Sequence, residues 1–167
     1  MTGPLELLTK YQKNRQGVLL DSNLLLLLFL GGYDQRQIGT NRLAAFAGDD
    51  YDLIQALVDR FSPLITTPNI LTEVSNLSGS IPEGQRKSYF ASFAERVAWF
   101  DEQHVSSSTA LQSRWARFGL TDAVIAEIAK RRCLVITDDF ALSQSLQSAG
   151  IEALNFNHIR EEFWKLD

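Results

Sequence analysis

Residues 120–140 read LTDAVIAEIAKRRCLVITDDF. Val124, Ile125, Ile128 and Ala129 recur at helical spacing. Thr121 is the predicted N-cap, and Asp122 puts negative charge in the first turn, where the helix dipole favours it. Lys130, Arg131 and Arg132 bring positive charge to the carbonyl end. Residues 133–136 follow at once as an apolar run, the mark of a strand buried on both faces. That strand delivers Thr137, Asp138 and Asp139. A helix feeding an apolar strand is the repeating unit of an α/β protein with a parallel sheet.

The same alternation extends outward in both directions. Residues 17–21 form a predicted first strand, apolar through Val18, Leu19 and Leu20 and ending in Asp21. A helix is expected from near Asn23 until Gly31 and Gly32 end it. Helical spacing across residues 41–61 runs through Leu43, Phe46, Leu53, Leu57 and Phe61, with Gly48 as a break. Residues 64–67 read as a second strand. Thr67 then caps a helix with Pro68 first, where a missing N–H costs nothing. That helix carries Glu73 and stops at Gly79 and Pro82. An amphipathic helix over 83–100 places Tyr89, Phe90, Phe93, Val97 and Phe100 on one side. A third strand is expected at 104–108, a short helix at 109–118, a helix at 143–149 ended by Gly150, and a last strand at 152–156. The expected fold is a three-layer α/β sandwich with a mostly parallel sheet of four or five strands. It forms one domain over residues 1–167, with its core motifs within 17–157.

Composition sets limits on function. The chain has 167 residues, 45% of them hydrophobic, enough for a real core. A single cysteine, Cys133, permits no internal disulfide and reads as a small core residue. With no signal peptide evident at residues 1–10, this points to a reducing cytoplasm. The longest apolar run, residues 24–30, falls short of the roughly 18 residues a membrane span needs, so no membrane association is expected. A net charge of −4 argues against nucleic-acid binding by bulk charge, so any such surface must be a local patch.

The acids carry the chemistry. Asp21, Asp138 and Asp139 end strands, and Asp122 opens a helix. In open α/β sheets, ligands bind outside the carboxyl ends of the strands. Glu73 reaches the same crevice if its helix packs beside the first strand. Taken singly, Asp122, Asp138 and Asp139 read as helix-terminus residues and Glu73 as a solvated one. Taken together, several carboxylates in one pocket repel each other and call for a cation. With no Cys or His at ligand spacing, hard oxygen donors favour Mg²⁺ or Mn²⁺ over Zn²⁺.

Four segments resemble the acidic motifs of PIN-domain nucleases, in that family's order: residues 18–23 (VLLDSN), 67–73 (TPNILTE), 120–123 (LTDA) and 135–140 (VITDDF). The resemblance implies a ribonuclease whose Mg²⁺ or Mn²⁺ site is formed by Asp21, Glu73, Asp122 and Asp139. Asn23 and Thr137 would support the site, and Asp139 fits the last motif better than Asp138. Many stand-alone PIN proteins are toxins of bacterial toxin–antitoxin pairs. The resemblance therefore implies RNA as substrate, an antitoxin protein as partner and a homodimer as an assembly to test. The chain departs from the small toxins by extra residues around 31–52.

Arg114 and Arg117, on the segment leading into Thr121, and Arg42, in the extra region, are candidates for RNA phosphates. His104 and His158 share no ligand spacing and read as structural or surface residues. Trp99, Trp115 and Trp164 suit core or interface positions. Two rival readings remain. A haloacid-dehalogenase-like phosphohydrolase also ends its first strand in Asp, but it wants a second Asp two residues on, where Asn23 stands, and a well-placed Lys. A non-catalytic RNA-binding or partner-binding module would keep the fold without the metal.

Overall fold

In the computed structural model, which describes residues 2–131 and 133–164, the apolar strand β1 (Val18–Leu20) lies at the middle of the sheet. The expected charge of Arg132 and the expected packing of the Trp164 side chain lie outside the described residues. β1 pairs in parallel with β2 (Leu64–Thr66) on one side and β4 (Leu134–Thr137) on the other, Leu19 standing opposite Ile65 and Val135. β3 (Phe100–Glu102) extends the sheet beyond β2, and β5 (Ala153–Asn155) beyond β4. All five strands are parallel in the order β3-β2-β1-β4-β5. Helices flank the sheet and make the three-layer sandwich the alternation implies.

The strand order reverses between β1 and β4. From β1 the chain builds outward to β3, then crosses back to β4 and builds outward to β5. The crevice at such a reversal, at the carboxyl ends of the strands, is where open α/β sheets bind ligands. Asp21 and Asp138 lie at those two ends.

After β1, α2 (Ser22–Leu26) runs into a π-helical turn (Leu27–Gly31), and every residue from Leu24 to Gly31 is buried. The residues around 31–52 form two 3₁₀ turns (Gln35–Gln37 and Asn41–Leu43) and the start of α3 (Gly48–Val58). Gly48 therefore opens this helix rather than interrupting a longer one. The carboxylate of Asp50 accepts the Ala47 N–H there and pairs with both arms of the Arg160 guanidinium at 2.6 and 2.7 Å. Arg160 also stacks over Phe46 and Phe156. It belongs to α9 (Phe156–Trp164), a helix the sequence pattern does not mark. The same is true of α1 (Pro4–Lys13), which buries Leu7, Leu8 and Tyr11 and contacts α9.

Thr67 caps α4 (Pro68–Leu77) as expected, its hydroxyl oxygen accepting the Ile70 N–H. The amphipathic α5 ends sooner than expected (Glu83–Val97), and Phe100 belongs to β3 instead. The third strand is thus not at 104–108, where Ser106 caps α6 (Ser107–Leu111). The predicted helix over 109–118 divides into the end of α6 and a 3₁₀ turn (Arg114–Phe118). Trp115 is buried as expected, whereas Trp99 is 66% exposed and is no core residue. α7 (Leu120–Ala129) buries Val124, Ile125 and Ile128. It is entered through Gly119 at φ +112°, a conformation only glycine adopts without strain. α8 (Phe140–Ser148) is followed by Gly150 at φ +75°. No helix among the described residues is long and apolar enough to cross a membrane.

Candidate active site

Asp21 stands at the end of β1 and does two structural jobs. Its Oδ1 accepts the Leu24 N–H at 2.9 Å, capping α2, and its Oδ2 accepts the Asp138 N–H at 2.9 Å, joining the ends of β1 and β4. It is 6% exposed. Burial and the neighbouring Asp138 push its carboxyl up to about 8, against the opposing bonds from the Thr137 hydroxyl and the two N–H groups.

Glu73 reaches the crevice because α4 packs against α2. Its Oε2 accepts the Ser22 hydroxyl at 2.6 Å, and its Oε1 accepts the Thr121 hydroxyl. Sequence reasoning alone misses Ser22 and Thr121 as site residues. Ser22 stands unmarked between Asp21 and Asn23. Thr121 suits a cap for α7, but the helix starts one residue earlier, and its hydroxyl faces Glu73 instead. The signal for both is their position, each chain-adjacent to a site acid.

Asp122 occupies the first turn of α7 as expected. Burial pushes its carboxyl up to about 6, with Asp139 and Glu73 adding like-charge repulsion. Asp139 caps α8, its Oδ1 accepting the Leu142 N–H at 2.9 Å, while its own N–H donates to Thr137 Oγ1. The Asn23 amide donates to both oxygens of Asp138 at 3.2 Å. Asp138 is therefore tied to Asp21 and Asn23, and Asp139 lies on the side of Asp122.

The acids from four parts of the chain thus repel in two sets, Asp21 with Asp138 and Asp122 with Asp139 and Glu73, and Ser22, next to Asp21, bonds Glu73. The ion pairs of the described residues all lie elsewhere, so no basic side chain offsets this charge. Their oxygens suit a hard divalent cation in kind. Among the described residues, no three acidic, histidine or cysteine side chains are close enough together to hold one ion.

The other candidates lie outside this cluster. Arg42 is exposed on the 3₁₀ turn Asn41–Leu43 and has no partner among the described residues. Arg114 and Arg117 line a groove that also takes in Ala141, two residues beyond Asp139. His104 lies exposed beside Glu102, and exposed His158 meets the ring of Phe140 edge-on. Cys133 is buried, and burial raises its thiol to about 11, so it is no nucleophile. No protein-family model matches the chain, and no curated protein matches its sequence.

Proposed function

We propose that the protein is a metal-dependent endoribonuclease of the PIN type. The observation that carries this reading is the pair of carboxylate sets near the sheet's topological reversal, in which Asp21 is raised by burial and Asp138, and Asp122 by burial, Asp139 and Glu73, with no ion-paired base among them. A divalent cation is the counter-charge such a site lacks. Asp21, Asp122 and Asp139 would have to draw closer together than they stand to hold one Mg²⁺ or Mn²⁺ ion, with Glu73 as a further ligand or an orienting group. A bound ion of this kind supplies an activated water and offsets negative charge on a phosphate oxygen. This chain's part is to fix the acids: Thr137 and two backbone N–H groups orient Asp21, and Ser22 and Thr121 orient Glu73.

Asn23 disfavours the phosphohydrolase alternative. It stands where a general acid is required, and its amide donates to Asp138. The toxin role is the biological setting the motif resemblance implies, with an antitoxin as partner. Growth arrest on expression of the native chain, relieved by Asp122→Asn, supports that role.

The direct test is turnover. Single-stranded RNA incubated with the protein and Mn²⁺ should be cut, and Asp122→Asn should lose roughly 100-fold or more of the rate, since removing a group that stabilises transition-state charge costs on that scale. A well-folded native protein that leaves RNA intact with either metal overturns the proposal.

A further inference from the structure

The 3₁₀ turn Arg114–Phe118 and helix α8 enclose an open groove of about 570 Å³. Arg114 and Arg117 line one wall, and Gln144, Ser145 and Ser148 of α8 line the other. Both arginines are exposed, and neither has a carboxylate partner among the described residues. Each guanidinium instead lies over the ring of the next residue, Arg114 over Trp115 at 5.6 Å and Arg117 over Phe118 at 4.7 Å. Stacking of this kind limits the orientations of a guanidinium while leaving its N–H donors free for an anion. In a chain of net charge −4, two unpaired guanidinia facing one groove are a local exception.

Both walls of the groove belong to segments that lead in the chain to site acids. The arginine turn leads through Gly119 into the first turn of α7 and Asp122. The opposite wall includes Ala141, and Phe140, 53% exposed, stands between Ala141 and Asp139. The Phe140 ring is braced edge-on by His158, 6.3 Å between centroids. An exposed aromatic next in the chain to a residue of a cationic groove supplies the two components of single-strand binding: a face for a base and charges for the backbone.

We infer that this groove is a phosphodiester-binding subsite, in which Arg114 and Arg117 hold the backbone of a single strand next to the cleavage point and Phe140 stacks on a base. The inference rests on the nuclease reading for its substrate. Arg114 and Arg117 are positioning residues, and their contribution belongs to substrate affinity.

The test separates binding from cleavage. A dye-labelled, uridine-rich RNA strand and a DNA strand of matching sequence are titrated with the full chain in EDTA, by anisotropy at several salt concentrations. Arg114→Gln/Arg117→Gln should weaken binding and reduce the slope of log K against log salt by about 1.4, or about 0.7 for each phosphate no longer neutralised. Phe140→Ala should lower affinity roughly tenfold with the slope unchanged, as removing the platform for one stacked base does. Lys87→Gln, at an exposed position of α5, serves as the control. A slope that the double variant leaves unchanged with both strands overturns the subsite, whether or not the protein cuts RNA. A reduced slope in a protein that cuts nothing keeps the subsite and removes the nuclease reading.

Discussion

The backbone N–H of Asp138 donates to Oδ2 of Asp21 at 2.9 Å, across 117 positions of sequence. One buried carboxylate thereby joins the ends of β1 and β4 at the point where strand order reverses. The same carboxylate caps α2 through Leu24. Asp21 is thus a structural residue and the centre of the proposed metal site at once.

Asp21 is held at about 8 and Asp122 at about 6, both above the ordinary carboxylate value of 3.8. The folded chain therefore keeps protons that the unfolded chain has lost. The stability these groups contribute is full below about pH 4 and is lost as pH rises through about 6 and then about 8. In EDTA, the gain in Tm of Asp122→Asn over the native chain should grow as pH rises through about 6. A difference that stays flat across this range contradicts the electrostatic account.

Cations should compete with those protons. Mn²⁺ binding measured by calorimetry should release protons and tighten between about pH 6 and pH 8, because carboxylates must be ionised to ligate. Asp21→Asn should weaken it sharply. Unchanged affinity in that variant, with the fold intact by circular dichroism, counts against the ligand assignment.

Glu73 offers a finer test. Its two oxygens accept from Ser22 and Thr121, so removing either hydroxyl frees the side chain without touching an acid. Ser22→Ala and Thr121→Ala should each lower metal affinity or kcat roughly 10-fold, with KM for RNA little changed, as loss of a group orienting a ligand does. Thr121→Ser should recover most of the loss. Native kcat in both alanine variants means that Glu73 needs no such clamp.

Away from the site, Asp50 and Arg160 make the clearest stability prediction. Asp50 is 2% exposed and takes a two-pronged bond from Arg160. Arg160→Met leaves a buried carboxylate without its counter-ion and should cost about 3–5 kcal/mol in a urea unfolding titration. Asp50→Leu combined with Arg160→Met should recover part of that, since an apolar pair leaves no uncompensated charge. A loss under about 1 kcal/mol for Arg160→Met would place the pair in the class of surface ion pairs.

What the sequence discloses follows from burial. β1 and β4 are buried along their whole length and read as apolar runs, so their terminal acids can be placed at one sheet edge. β3 cannot be found this way: it is an edge strand with Asp101 and Glu102 exposed, leaving Phe100 as its one apolar residue. The neighbouring Val105 draws the expected strand toward it. α1 buries three residues in ten and α9 begins directly at the end of β5, so neither offers a long apolar stripe or a separating loop. The roles of Ser22 and Thr121 depend on a tertiary contact, the approach of α4 to α2 and α7, which no local pattern encodes.

The chemistry of the cut ends tests the central claim most directly. A structured RNA is incubated with the protein in Mn²⁺, with and without EDTA, and the fragment ends are analysed. Attack by a metal-activated water predicts 5′-phosphate and 3′-hydroxyl ends in looped or single-stranded regions, and no products in EDTA. Cleavage that persists in EDTA, or that leaves cyclic phosphates, contradicts the account even for a protein that proves to be a ribonuclease.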